Sequence, residues 1–404
     1  MLRIPRRRAH WLLLPLLLAT ASPAAAPQST EFSRLVARLS EPGGYFDSDN
    51  LVSNETSYLH VLPALRTLGV QGGVYVGVGP EQSFSYLAEI QPELAILIDI
   101  RRDNLLLHLL FKAMFEVSRN RMEFLCLLYG RPMPPLLSRW TDSSLEDILT
   151  YFDITPGDSA VHARNHSELM ERVTRFGVQL ADSDRSTLAR FHQEFFARGL
   201  ELTFTSKGRP SRPDYPSERQ LYLATDLDGH QGSYLSSEER FRVVRDLQRH
   251  DRVIPVVGDL SGPGAMRSIA AYLRETQQAV SALYVSNVEM YLFRQGNFAK
   301  FADNVRALPA QPFGVLIRSY FGRGMYWNGG VLATGAIPQV LPGHLSAQAL
   351  QPIAAFLQLT VHPDSVTYLD ILTNGAVDLR APVRPPRPRR RRRPRPRPAA
   401  EATQ

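Results

Sequence analysis

Residues 73–104 read GVYVGVGPEQSFSYLAEIQPELAILIDIRRDN, a pattern that commits this part of the chain to a strand, a tight turn, a helix and a second strand. Val74, Tyr75, Val76 and Val78 form an apolar run that ends in a Gly-Val-Gly turn, and the mixed polarity of 81–90 predicts an amphipathic helix. A second apolar run, 94–98, stops on Asp99. This is the plan of a nucleotide-binding βαβ unit, in which glycines let the ligand approach the backbone and the acid accepts hydrogen bonds from ribose hydroxyls. Asp99 stands 20 residues beyond Gly79, about where such an acid is expected. A dinucleotide fingerprint would place a third glycine at Gln82, so a nucleoside without a pyrophosphate fits the turn better.

The same alternation resumes late in the chain. Apolar runs at 253–257, 280–285 and 313–317 are separated by helical patterns at 265–274 and 297–308. The predicted class is α/β, a Rossmann-like, mostly parallel sheet with helices on both faces. More than a hundred residues separate Asp99 from the run that opens at 253, too many for one crossover helix. A largely helical insertion is therefore expected over 119–250, between a first core part, 27–118, and a second, 251–380. Helices are predicted there at 144–152, 167–176 and 186–197, with an exposed polar loop at 206–213.

In an open parallel sheet, ligands sit beyond the carboxyl ends of the strands, where strand order reverses. Gly77, Gly79, Asp99 and Asp259 should converge there, with Ser286 and Asn287 beside them. Tyr45, Asn54 and Glu55, just ahead of the first strand, are placed to close over a ligand. His162 and His166 stand four apart, a spacing used by metal ligands on one helix face, but the adjacent acid of H-E-x-x-H is missing. They read as surface histidines, and no metal is assigned. Cys126, the sole cysteine, lies in the apolar stretch 124–128 and reads as a core residue; no internal disulfide can form.

Neither end of the chain has the composition of a core. Arg3, Arg6, Arg7 and Arg8 precede an apolar stretch, 11–19, and small residues up to Ala26. This order predicts a cleaved signal peptide over 1–26 and an exported protein, periplasmic or extracellular. At the far end, 381–404 is almost entirely Pro, Arg and Ala, with nine arginines between Arg384 and Arg397, and is expected to be disordered. The formal charge of +7 belongs to these ends; without the four leading arginines and the tail's net eight charges, the body carries about −5. Charge alone would let the tail hold an anionic surface.

Val76-Gly77-Val78-Gly79 and Asp99 resemble the corresponding motifs of class I S-adenosylmethionine-dependent methyltransferases. The chain departs from that family at Tyr75, where an acid is usual, and at Glu81, where a further glycine is common. The resemblance implies S-adenosylmethionine as cofactor, with Gly77, Gly79, Glu81, Asp99 and Asp259 as its binding set, Asp259 meeting the adenine. It also implies that Asn287 and Glu289 line the reaction pocket as catalytic residues. Tyr284-Val285-Ser286-Asn287 and the long helix after Asp99 are similar to transferases that move the aminocarboxypropyl group onto lipids. The body over 43–336 further resembles an uncharacterised bacterial family in which GVGPEQ, IDIRR, PVVGDLSGP and YVSNVE recur as blocks. Two readings follow: a group transferase acting on an unidentified small-molecule or lipid substrate, or an exported non-catalytic binding protein that keeps the fold. The second arises because export separates the protein from a cytoplasmic donor.

Overall fold

The apolar runs become strands of one sheet because each can bury both of its faces only between layers of helices. In the computed structural model, which describes residues 29–210, 212–321 and 338–380, six strands form an α/β, Rossmann-like fold of order β3-β2-β1-β4-β5-β6. The expected signal peptide, 1–26, and basic tail, 381–404, lie outside the described residues, as does Ser211 of the polar loop.

The chain enters through α1 (Glu31–Leu39), capped by Thr30, and α2 (Leu62–Leu68). Strand β1 (Val74–Gly77) is followed by α3 (Gln82–Ile90) and β2 (Leu94–Asp99). A long helical excursion then runs through α4 (Arg102–Val117), α5 (Arg121–Tyr129), α6 (Leu145–Ile154), α7 (Ser159–Arg175), α8 (Asp182–Arg198), α9 (Glu218–Tyr222) and α10 (Glu238–Arg249). The sheet resumes with β3 (Val253–Val257), α11 (Ala265–Glu275), β4 (Val280–Ser286), α12 (Val288–Gln295), α13 (Phe298–Ala307) and β5 (Ala310–Tyr320). It ends with β6 (Ala347–Pro352), α14 (Ile353–Leu359) and α15 (Tyr368–Thr373).

Strands β1 to β5 are parallel, and β6 runs antiparallel to β5. β6 has no sequence signature of its own: AQALQP carries neither β-branched nor aromatic residues and becomes a strand by pairing with β5. Helices α3, α4 and α10 pack together, while α1 packs on β3 and α11, which in turn meets α13. Phe111 of α4 faces Phe124 of α5, whose ring also meets Phe241 of α10. The helical excursion thus shares one continuous core with the sheet. Cys126 is buried in that core, and burial pushes its thiol up to about 12. No helix among the described residues is long and apolar enough to cross a membrane.

The site follows from the register. Gly77 pairs with Leu97 on one side and Tyr284 on the other, and Asp99 pairs with Val257, so four strands end along one edge. Chain order reverses between β1 and β4 at that edge.

Candidate functional site

A cavity of about 180 Å³ opens at this reversal point, lined by Gly79, Asp99, Asp259 and Asn287 among others. Tyr45, Asn54 and Glu55, read from sequence as covering residues, line it too. The covering segment is tied down from below: Gly44 N–H donates to the Ile100 carbonyl (2.7 Å), and the Phe46 ring meets Tyr291 edge-on at 5.4 Å.

Gly79 has φ +87°, a conformation that favours glycine, and a Cβ there would find only Asn50 Nδ2, 3.8 Å away. Its carbonyl accepts from His108 Nε2 at 2.9 Å. Burial lowers the His108 pKa to about 4, so this ring is neutral and holds the turn as a hydrogen-bond donor. Gly77 does something different. A Cβ on it would strike the Tyr75 ring at 2.5 Å, so the tyrosine standing where the methyltransferase family has an acid fills the space at Gly77.

Asp99 reaches the cavity already engaged. Its Oδ1 accepts from Arg101 Nε (3.0 Å) and from the Arg101 backbone N–H (2.9 Å), and its Oδ2 accepts from Arg101 Nη2 (3.0 Å). The remaining Arg101 nitrogen, Nη1, donates to the carbonyls of Ser48 (2.6 Å) and Asp49 (2.8 Å). The pair therefore fastens the end of β2 to the covering segment. Asp259 Oδ1 accepts from the backbone and hydroxyl of Ser261 at 2.8 and 2.9 Å. The glycines that follow wrap another acid: Glu41 accepts from the backbone N–H groups of Asp259, Gly264 and Ala265, and a Cβ on Gly262 or Gly264 would meet its carboxylate. That glycine-rich block seats Glu41 at the start of α11.

The remaining carboxylate of the lining is Glu55, expected from sequence as a covering residue. Nearly fully buried, it accepts from Tyr284 Oη (2.7 Å), Gln348 Nε2 (3.2 Å) and the hydroxyls of Ser286 and Ser319. No cation is among these donors. Ser286 takes φ +52° at the end of β4, a backbone position uncommon for serine. Gln82, at the missing third glycine, donates to Tyr284 Oη and so extends the Glu55 network. The signal for Glu55 was weak, because its partners lie up to 293 residues away in sequence.

Of the expected residues, Gly79, Asp99, Asp259 and Asn287 come together, and Gly77, Glu81 and Glu289 do not join them. Gly77 is closed off by Tyr75. Glu81 is turned into the core, where burial and the nearby Glu218 carboxyl push its pKa well above the usual range. Glu289 is fully buried against Arg318, with Nε to Oε2 at 2.6 Å. The cavity lining carries three carboxylates (Glu55, Asp99, Asp259) and one guanidinium (Arg101), an excess of negative charge.

A family model described as "Domain of unknown function (DUF7790)" matches residues 50–130 and 187–374. No curated protein matches the chain.

Proposed function

The chain therefore belongs to the DUF7790 family, and on that premise we propose that its cavity binds a nucleoside-type ligand with a cationic centre, S-adenosylmethionine being the best fit, for group transfer. The observation that carries this reading is the convergence of Gly79, Asp99, Asp259 and Asn287 at the reversal point, in a lining with surplus negative charge. A sulfonium or ammonium is favoured by such a lining, whereas a pyrophosphate is repelled. Asp99 Oδ2 accepts one bond from Arg101 and keeps a lone pair for a ribose hydroxyl. Asp259 Oδ2 remains for an adenine amino group, since only Oδ1 is engaged by Ser261.

Bound S-adenosylmethionine would supply an alkyl group already activated by its sulfonium. The chain's part is then positioning of donor and acceptor. Asn287 offers an amide at the cavity wall, and Glu55, fixed by four neutral donors, is the carboxylate placed to orient an acceptor. Glu289 has no part in this, being committed to Arg318. At about 180 Å³ the cavity is smaller than the roughly 300–1,000 Å³ typical of ligand clefts. A whole nucleoside thus requires the covering segment around Tyr45 to move outward.

The Asp99–Arg101 clamp favours the second reading, an exported binding protein in which the fold holds a smaller ligand without turning it over. Under that reading the basic tail serves as an anchor to an anionic surface. Calorimetric titration of the full chain with S-adenosylmethionine and S-adenosylhomocysteine separates the two. Binding that weakens on Asn287→Ala supports the transferase; no heat with either nucleoside at millimolar concentration ends it.

A further inference from the structure

Three histidines meet between α7 and α8, away from the cavity. His162 and His166 sit one turn apart on α7, and His192 reaches them from α8. The His166 and His192 Nδ1 atoms are 3.2 Å apart, and the His162 ring centroid lies 4.3 Å from that of His192. We propose that His162, His166 and His192 form a binding site for a late first-row transition-metal ion of the Zn²⁺ class.

The nitrogen bookkeeping supports a lone-pair cluster. His192 is completely buried, and its Nε2 lies 3.0 Å from the Leu127 carbonyl, an acceptor only; Nε2 therefore carries the proton and Nδ1 a lone pair. His162 Nδ1 is buried without any hydrogen-bond partner, a state that costs free energy unless something is bound there. Two nitrogens each about 2.05 Å from a tetrahedral Zn²⁺ are roughly 3.3 Å apart, close to the observed separation at His166 and His192. In the structure the His162 ring stacks on Phe196 at 4.4 Å with its centroid 6.4 Å from that of His166, outside coordinating distance; the proposed site requires it to turn toward the other two, with a water in the fourth position. Imidazoles select Zn²⁺, Cu²⁺ or Ni²⁺ over Mg²⁺ and Ca²⁺, which take oxygen. His162 and His166 lie between the two stretches matched by the family model, whereas His192 lies within the second.

The competing account is a plain hydrogen bond, His166 Nδ1–H to His192 Nδ1. Zn²⁺ titration of the full chain, with Asp228→Asn as a control for the separate Asp226, Asp228, His230 grouping, decides between them. One equivalent should bind, unchanged in the control and weakened roughly a hundredfold or more in His166→Ala. Equal Zn²⁺ affinity in wild type and His166→Ala overturns the proposal. If that variant fails to fold, Co²⁺ loading of the wild-type chain decides: intense tetrahedral visible bands support the site, and weak octahedral bands overturn it.

Discussion

Glu289 and Arg318 form a buried two-point ion pair, each side chain about 1% exposed, that joins the start of α12 to β5. Arg318 also donates to Gln351 of β6 and to the Ile371 carbonyl of α15, so one guanidinium links four elements. Removing one partner of such a pair leaves an uncompensated buried charge, whereas replacing both is often close to neutral. Glu289→Gln should therefore lower unfolding stability by about 3–5 kcal/mol in urea titrations, and adding Arg318→Met should restore part of that loss. A variant of unchanged stability would return Glu289 to the list of functional acids.

Arg101 acts on a smaller scale at the cavity. Its guanidinium holds Asp99 and the carbonyls of Ser48 and Asp49 together, with both side chains of the pair mostly buried. Arg101→Met should cost about 3 kcal/mol and make 43–54 more sensitive to limited proteolysis than the rest of the chain. Uniform protease resistance in the variant would show that the covering segment is held by other contacts.

These pairs mark how far the sequence could be read. Asp99 and Asp259 were legible because each stands where an apolar run breaks, and a strand end is a local event. Which acid faces the cavity is not local: Glu289 is drawn away by Arg318, and Glu55 is held in by Ser319 and Gln348. Gly77 looked equivalent to Gly79 until the Tyr75 ring was seen to occupy its open side. The His192 contribution was hidden for a related reason. α7 begins at Ser159, capped by Asp158, well before the apolar spacing becomes helical, and only then does His162 share a face with His166 opposite α8.

Glu81 and Glu218 give the fold a pH dependence. Both are fully buried, Glu218 accepts from Tyr222 Oη at 2.6 Å, and burial raises its pKa from 4.5 to about 7. The folded chain then keeps a proton that the unfolded chain releases, so this contribution is present below about pH 4.5 and is lost as pH rises through about 7. His60 and His108, both lowered to about 4 by burial, act in the opposite sense at acid pH. The comparison of wild type with Glu218→Gln isolates the carboxyl: the variant should gain roughly 2–3 kcal/mol on wild type between pH 4.5 and 8. Parallel stability curves would mean that Glu218 is ionised in the native state.

The two glycines of the turn provide the sharpest test of the cavity. At Gly79, φ is +87° and the space ahead is open, so Gly79→Ala should cost about 1–2 kcal/mol through backbone strain while placing a methyl group in the cavity. At Gly77, the added methyl meets the Tyr75 ring and disturbs its 3.3 Å contact with Ser83 Oγ, an overpacking cost of about 1–3 kcal/mol with no intrusion on the cavity. The two variants should thus be comparably destabilised yet differ in ligand response. If S-adenosylmethionine binds where proposed, its calorimetric signal should vanish in Gly79→Ala and persist in the folded fraction of Gly77→Ala. Equal loss in both would tie the effect to folding and remove the cavity as the binding site.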